Sequence, residues 1–219
     1  MKYSSIIFRT AKVLKECQIR RFPIDCIKIL EHYSYRIYSY SYIKSQNPRL
    51  FELCGGYSSD AFTEKSLKII AYNDVSGTGR IRFSLMHELG HIMLGHTGHE
   101  EDCEYEADLF ASHILAPRVM IEHYGCKNSV DVQHFFGLSG MAANWAWIDY
   151  RRLIKQGYQK EDTELLHWFT QQKIEKPMPV SFFDDRLEKI KEQKACLGLD
   201  SFDSAFTRAE NHWLYENTY

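Results

Sequence analysis

Apolar positions that recur every three or four residues predict helices along much of the chain. The clearest stretch is residues 81–95, where one apolar stripe continues until Gly95 ends the pattern. Residues 101–116 predict a second helix, because an acidic run at its start suits the helix dipole and Pro117 ends it. Further helices are predicted at Ile24 to Glu31 after Pro23 in the first turn, Val130 to Phe136, Met141 to Ile154, Asp184 to Lys194 and residues 202–213.

Two shorter stretches predict strands. Tyr33 to Tyr42 alternates and is rich in tyrosine, and Leu67 to Tyr72 is an apolar run that Asn73 and Asp74 end. The second strand is expected either at a sheet edge, where it could pair with an extended peptide, or inside the sheet. The pattern as a whole predicts an α+β fold: a small mixed sheet packed by helices, including the helix of residues 81–95, followed by a mainly helical C-terminal part.

Composition and charge exclude several classes of protein. The 219 residues are 44% hydrophobic and 26% charged, which is ordinary globular usage. A net charge of −2 gives no basic field to attract nucleic acid or anionic lipid. No window reaches the roughly 18 apolar residues of a membrane span, and the apolar run near the N-terminus is too short for a signal peptide. Six cysteines without a CxxC pair are expected to be free thiols, which favours a cytoplasmic protein.

Histidines concentrate in one part of the chain. Six of the ten lie between residues 87 and 123: His87, His91, His96, His99, His113 and His123. Residues 87–91 read HELGH, an HExxH motif on a predicted helix. Residues four apart share a helix face, so His87 and His91 can place two imidazole nitrogens on one zinc ion, and Glu88 can act as general base. The alternative is a pair of polar histidines on a solvated face, which the apolar surroundings of the motif disfavour.

A catalytic zinc ion needs one more protein ligand. His96 and His99 are out of register for the third histidine of the metzincin pattern. Glu104 on the next predicted helix is the better candidate, with an ordinary acid at a helix start as the alternative. Asp108 shares its face and could accept the Nδ1–H of a ligand histidine, whereas Glu106 falls on another face and is expected to meet solvent.

Small residues are expected to let the two helices of this site approach each other. Ala107 and Ala111 lie on the same face as Glu104, where small side chains permit close packing. Gly90, inside the HExxH motif, is expected to leave room beside the metal. Peptide hydrolysis also needs a donor that stabilises the oxyanion. Residue type alone suggests candidates without choosing among them: Tyr72, His99, His123 and Tyr124.

The motif continues in a longer signature. Residues 80–96 read RIRFSLMHELGHIMLGH, residues 104–111 read EYEADLFA and residues 114–117 read ILAP. This run resembles the ImmA/IrrE metallo-endopeptidases, and the resemblance extends over roughly residues 60–155. It implies zinc bound by three ligands, His87, His91 and Glu104, with Glu88 as the base and acid. It also implies action on or with helix-turn-helix repressors of phages, integrative elements or stress regulons. Asp108 departs from the asparagine that is commoner in the family.

The resemblance and the breaks in the pattern predict three parts: a zinc metallopeptidase domain at 1–125, a helix-turn-helix-like segment packed on it at 126–157, and a helical C-terminal extension at 158–219. The would-be recognition helix has no basic residue before Arg151, so direct DNA binding is not expected.

The leading interpretation is a zinc endopeptidase that cleaves a cytoplasmic helix-turn-helix repressor. The alternatives are a zinc-binding regulator that binds such a repressor or senses stress with little proteolysis, and a DNA-binding protein. The oligomeric state stays open.

Overall fold

A computed structural model of the protein describes residues 3–46, 48, 51–52, 60–97, 100–171, 179 and 181–196. It contains a three-stranded mixed sheet of β1 (Arg36–Ser39), β2 (Ala61–Glu64) and β3 (Ile69–Tyr72). The strand order is β1-β3-β2, with β1 parallel and β2 antiparallel to β3. The α+β prediction with a helical C-terminal part is therefore confirmed.

Helices make up most of the described residues. In chain order they are α1 (Tyr3–Glu16), α2 (Cys26–His32), α3 (Tyr40–Gln46), α4 (Thr78–Leu94), α5 (Glu101–Leu115), α6 (Arg118–His123), α7 (Ser129–Phe136), α8 (Gly140–Gln156), α9 (Lys160–Thr170) and α10 (Ser181–Cys196). The sequence pattern did not predict α1, α3, α6, α9 or strand β2. The helix predicted at residues 202–213 lies outside the described residues. Among the helices of the described ranges, none is long and apolar enough to cross a membrane.

Two predicted elements near the N-terminus differ in their bounds. The strand predicted from Tyr33 to Tyr42 ends at Ser39, because the Ser39 hydroxyl accepts a hydrogen bond from the Tyr42 backbone N–H at 3.2 Å and so starts α3. The first predicted helix begins at Cys26, after the side chain of Asp25 caps it, so the placement of Pro23 in its first turn was wrong.

The strand predicted at Leu67 to Tyr72 is in the interior of the sheet. It appears as β3, which pairs with β1 on one side and with β2 on the other. All four of its residues are buried, as expected for a strand that is apolar throughout. Of the two alternatives, the position inside the sheet is therefore confirmed, and the edge position, which would accept a peptide, is wrong.

Helix α4 runs through the centre of the core and is fixed there by Arg82. The buried guanidinium of Arg82 donates hydrogen bonds to the carbonyl oxygens of Phe136 at 2.7 Å, Gly137 at 2.6 Å and Ile24 at 3.1 Å. These acceptors lie at the end of α7 and just before α2, so one side chain satisfies three backbone groups from two other segments. The position of the HExxH helix is thus tied to both neighbours.

The corner between α7 and α8 packs against the start of α4. A Cβ added at Gly79 would lie 2.7 Å from the backbone nitrogen of Ser139, closer than real contacts allow. Gly79 therefore permits the backbone of α4 to touch the N-cap of α8. The helix-turn-helix-like corner is in this way packed onto the helix that carries the HExxH motif.

A buried polar cluster joins four helices away from the motif. His113 on α5 contacts the hydroxyl of Tyr3 at 3.0 Å and the carboxylate of Asp149 at 3.3 Å, and Asp149 also pairs with Arg118 at 2.9 Å. Burial and the charge of Arg118 outweigh Asp149 and lower the pKa of His113 to about 4. His113 is therefore neutral at physiological pH, although Asp149 lies beside it.

We expect His113 to make the protein less stable in mild acid. Its folded pKa lies below the unfolded value near 6.5, so the unfolded chain binds more protons as the pH falls from about 6.5 to about 4. Between about pH 6.5 and pH 5 this should cost roughly 2 kcal/mol of unfolding free energy. Denaturant unfolding across this range should show a shallower pH slope for His113→Gln than for the unsubstituted protein. Equal slopes would contradict the prediction.

Candidate metal centre

The two histidines of the HExxH motif lie on one side of α4. Their Nε2 atoms are 2.9 Å apart, and both imidazoles are largely buried. Helix α4 ends at Leu94, about one turn after His91, and its C-cap Gly95 has a φ of 74°, in the left-handed region that glycine adopts at little cost. The one-turn spacing of residues 87 and 91 thus brings both nitrogens to one point, as the periodicity predicted.

Helix α5 brings a carboxylate to the same point. Oε2 of Glu104 is 3.2 Å from Nε2 of His87, and Oε1 is 3.5 Å from Nε2 of His91. One ligand atom from each residue lies within 4.8 Å of the others. Donor atoms at about 2.0–2.1 Å from one tetrahedral zinc ion stand about 3.3 Å apart. The three side chains therefore fit a metal ion, and the structure brings together the three residues predicted as ligands.

Asp108 orients His87 through the ring nitrogen that does not face the other ligands. Its Nδ1 lies 2.7 Å from Oδ1 of Asp108, one turn after Glu104 on α5. Burial by itself would lower the pKa of His87, but the hydrogen bond and charge of Asp108, with the charges of Glu88 and Glu104, raise it. A carboxylate at Nδ1 keeps the proton there and leaves the Nε2 lone pair available to a metal ion. The structure places Asp108 where the predicted second contact of a ligand histidine needs it.

His91 has a corresponding partner that the sequence did not indicate. Its Nδ1 lies 3.0 Å from Nδ1 of His96, and Nε2 of His96 lies 3.0 Å from Oε2 of Glu106. The expectation that Glu106 meets solvent was wrong, because Glu106 is buried on α5, one turn before the fully buried Phe110. That spacing from Phe110 was the signal that could have placed it. Burial and the nearby Lys65 lower the pKa of His96.

Glu88 projects from α4 towards the sheet. It is half-buried, and its Oε2 accepts a hydrogen bond from the Thr63 hydroxyl at 2.6 Å. Thr63 belongs to β2, the strand that the pattern did not predict. In the turn after β2, Lys65 donates to the carbonyl oxygen of His96. The β2 region therefore contacts both the proposed base and the segment that follows the motif.

Close packing of α4 on α5 sets the distance between the histidines and Glu104. A Cβ added at Gly90 would meet the Cα of Ala107 at 3.1 Å, its carbonyl oxygen at 3.2 Å and the Cβ of Phe110 at 3.3 Å. The expectation that Gly90 leaves room beside the metal was wrong: its missing side chain makes room for the backbone of α5. Ala107 and Ala111 are both fully buried, as their small size suggested.

A methyl group at Gly90 is expected to push the two helices apart. The three contacts are with a rigid helix, so Gly90→Ala should destabilise the protein by about 1–3 kcal/mol in denaturant unfolding. Because the shift moves Glu104 away from the histidines, metal affinity should fall as well. Gly77→Ala is the matched control, since a Cβ there meets no atom within 4 Å. Equal stability and affinity in both variants would show that this packing does not set the site.

None of the described candidates for an oxyanion donor is hydrogen-bonded to the residues of the metal centre. Tyr72 and Tyr124 have buried hydroxyls without a hydrogen-bond partner among the described residues, and Tyr124 packs against Phe22 and Phe136. His123 is exposed at the end of α6 and contacts Tyr124. These three side chains make no hydrogen bond to the histidines or to Glu88 in the described part of the chain, and His99 lies outside it.

The family model described as the IrrE N-terminal-like domain of peptidase M78 matches residues 47–145, which include the HExxH helix and Glu104. Residues 47–145 therefore form a domain of the ImmA/IrrE family. The predicted resemblance is thereby confirmed, and membership suggests a zinc metallopeptidase. No curated protein matches the chain significantly. The cluster of two imidazoles and one carboxylate is compatible with a metal ion, while the individual roles of Glu88, Asp108 and the three ligands stay predictions.

Proposed function

We propose that this protein is a zinc-dependent endopeptidase that cleaves a cytoplasmic protein. The observation that carries the proposal is the convergence of His87, His91 and Glu104, with the carboxylate of Glu88 beside them on the same helix. Two histidines and one glutamate form the donor set of several catalytic zinc sites. A zinc ion held there would supply Lewis-acid activation of water and of the scissile carbonyl.

The protein's own residues have distinct tasks in this proposal. Nε2 of His87, Nε2 of His91 and the Glu104 carboxylate would hold the metal. The Glu88 carboxylate takes the proton of the attacking water and gives it to the leaving amine. The hydrogen bond from Thr63 to Oε2 fixes the orientation of that carboxylate, which a general base must keep during proton transfer.

The backbone of strand β2 supports an extended substrate. The carbonyl oxygen of Asp60 accepts from the Asn73 N–H at 2.8 Å, so residues 60, 62 and 64 direct their backbone groups towards β3. By alternation, the N–H and C=O of Thr63 point away from β3. A peptide that paired with Thr63 would run past the carboxylate that the Thr63 side chain holds. This arrangement supports cleavage of an extended segment.

We further propose that the substrate is a helix-turn-helix repressor, which the family resemblance suggests. Helix α8 occupies the position of a recognition helix, yet it exposes Met141, Trp145 and Ile148. Apolar side chains at i, i+4 and i+7 suit contact with a protein better than contact with phosphates. This surface favours a protein partner, and it equally suits the alternative of a regulator that binds its partner without cleavage.

The direct test is incubation of the zinc-loaded protein with the repressor encoded beside its gene. Intact-mass spectrometry should show two fragments whose masses sum to the repressor plus one water. A chelator added at the start should abolish both fragments. A stable complex without fragments would overturn the peptidase proposal in favour of the binding regulator. Neither binding nor cleavage would reject this repressor as the partner.

A further inference from the structure

His96 is held in one position against the HExxH helix. Its backbone N–H donates to the carbonyl oxygen of His91 at 3.0 Å, across the left-handed turn at Gly95. Its own carbonyl accepts from Lys65, and its side chain is only 6% exposed. Backbone and side chain are therefore both fixed relative to His91, and no ordinary requirement of core packing calls for an imidazole there.

The contacts of His96 define which nitrogens carry protons. A metal on Nε2 of His91 requires the proton of that imidazole to be on Nδ1. Nδ1 of His96 must then accept it across the 3.0 Å contact, so the proton of His96 is on Nε2. That proton points at Oε2 of Glu106, 3.0 Å away, where a carboxylate accepts it. One assignment of protons therefore satisfies the two contacts that link His91, His96 and Glu106. The same assignment leaves the Nε2 lone pair of His91 available to the metal.

We propose that His96, anchored by Glu106, is a positioning residue for the metal ligand His91. The inference rests on the proposed metal site and names two residues that neither the motif nor the family resemblance assigned. The two ligand histidines are then oriented in different ways. His87 is held directly by the carboxylate of Asp108, whereas His91 is held by a buried imidazole that in turn donates a hydrogen bond to a carboxylate.

Two substitutions separate positioning from space filling. In His96→Asn the side-chain oxygen takes the place of Nδ1 and can accept from His91, whereas His96→Phe fills the volume without an acceptor. Zinc affinity, measured by competition with a chromophoric chelator, should fall about 10–100-fold in His96→Phe and stay close to the original in His96→Asn. The Co²⁺ absorption bands should shift in the phenylalanine variant only. His123→Phe, which removes an exposed histidine, is the control.

Folding controls and one further variant complete the test of His96. Circular dichroism and thermal unfolding of the metal-free variants identify any that do not fold, and Glu106→Leu, which removes the anchor but keeps His96, should then show the same direction of change. Unchanged zinc affinity in folded His96→Phe, or equal losses in the phenylalanine and asparagine variants, would overturn the inference. Because the readout is metal binding, a protein that binds zinc as expected but cleaves nothing would contradict the proposed function and leave this inference standing.

Discussion

Glu88→Gln is expected to slow peptide cleavage strongly while leaving the metal bound. Glutamine keeps the size of the side chain and can still accept the hydrogen bond from Thr63, but its amide cannot take a proton from water. General acid–base catalysis contributes about 10²–10⁴-fold, so the initial rate of fragment formation should fall by that factor. Zinc affinity, measured separately by chelator competition, should be unchanged because Glu88 is not one of the three converging ligand residues.

The control for this substitution is Glu64→Gln. Glu64 lies on β2 next to the site, where its carboxylate accepts from the backbone and hydroxyl of Ser66 instead of facing the histidines. The Glu64→Gln substitution removes one negative charge close to the candidate metal centre and leaves the proposed base, Glu88, unchanged. A Glu88→Gln variant that cleaves at the original rate would exclude Glu88 as the proton carrier. Loss of zinc together with activity would instead show that Glu88 supports the metal.

The local part of the site could be predicted because its geometry is set within one helix. The i, i+4 spacing of His87 and His91 fixes their shared face whatever surrounds the helix. Glu104 could be proposed because the helical spacing of the next element shows which residues share a face with it. These inferences need only the sequence within each element, and the structure brings all three residues together.

The rest depended on contacts between elements. Gly90 could be interpreted as space for a metal or for a helix, and only the position of Ala107 distinguishes these. Glu106 is polar, so its burial makes sense only when His96 folds back over α5 to meet it. Thr63 lies in a four-residue strand too short to give a period, and it reaches Glu88 through tertiary packing.

The tyrosine-rich segment shows the same limit within a single element. Alternation predicted one long strand from Tyr33 to Tyr42, and the β propensity of tyrosine agreed with it. The strand instead ends after four residues. The hydroxyl of Ser39 accepts a hydrogen bond from the Tyr42 N–H, and this contact caps the first turn of α3. Serine is common in strands and at helix starts alike, so its role depended on whether the next residues had a partner strand.

Removal of Glu104 is expected to have the largest effect on metal binding. Glu104→Ala leaves His87 and His91 as a two-nitrogen site, which lacks the third protein ligand of a catalytic zinc centre. Loss of a residue that merely orients a ligand costs about 10–100-fold, so loss of the ligand itself should lower zinc affinity by more than about 100-fold. Equilibrium dialysis with metal analysis measures this directly, and cleavage should be lost in parallel.

The choice of control follows from the packing of α5. Glu106→Ala is unsuitable, because Glu106 is buried against His96 and its loss should itself weaken the metal site. Glu101→Ala is the matched variant, since Glu101 is an exposed acid in the first turn of the same helix. It removes an equal charge from the helix start, so any effect on the helix dipole is shared. If Glu101→Ala and Glu104→Ala retained zinc equally, the carboxylate would be an ordinary helix-start acid, and the third ligand would have to be another residue.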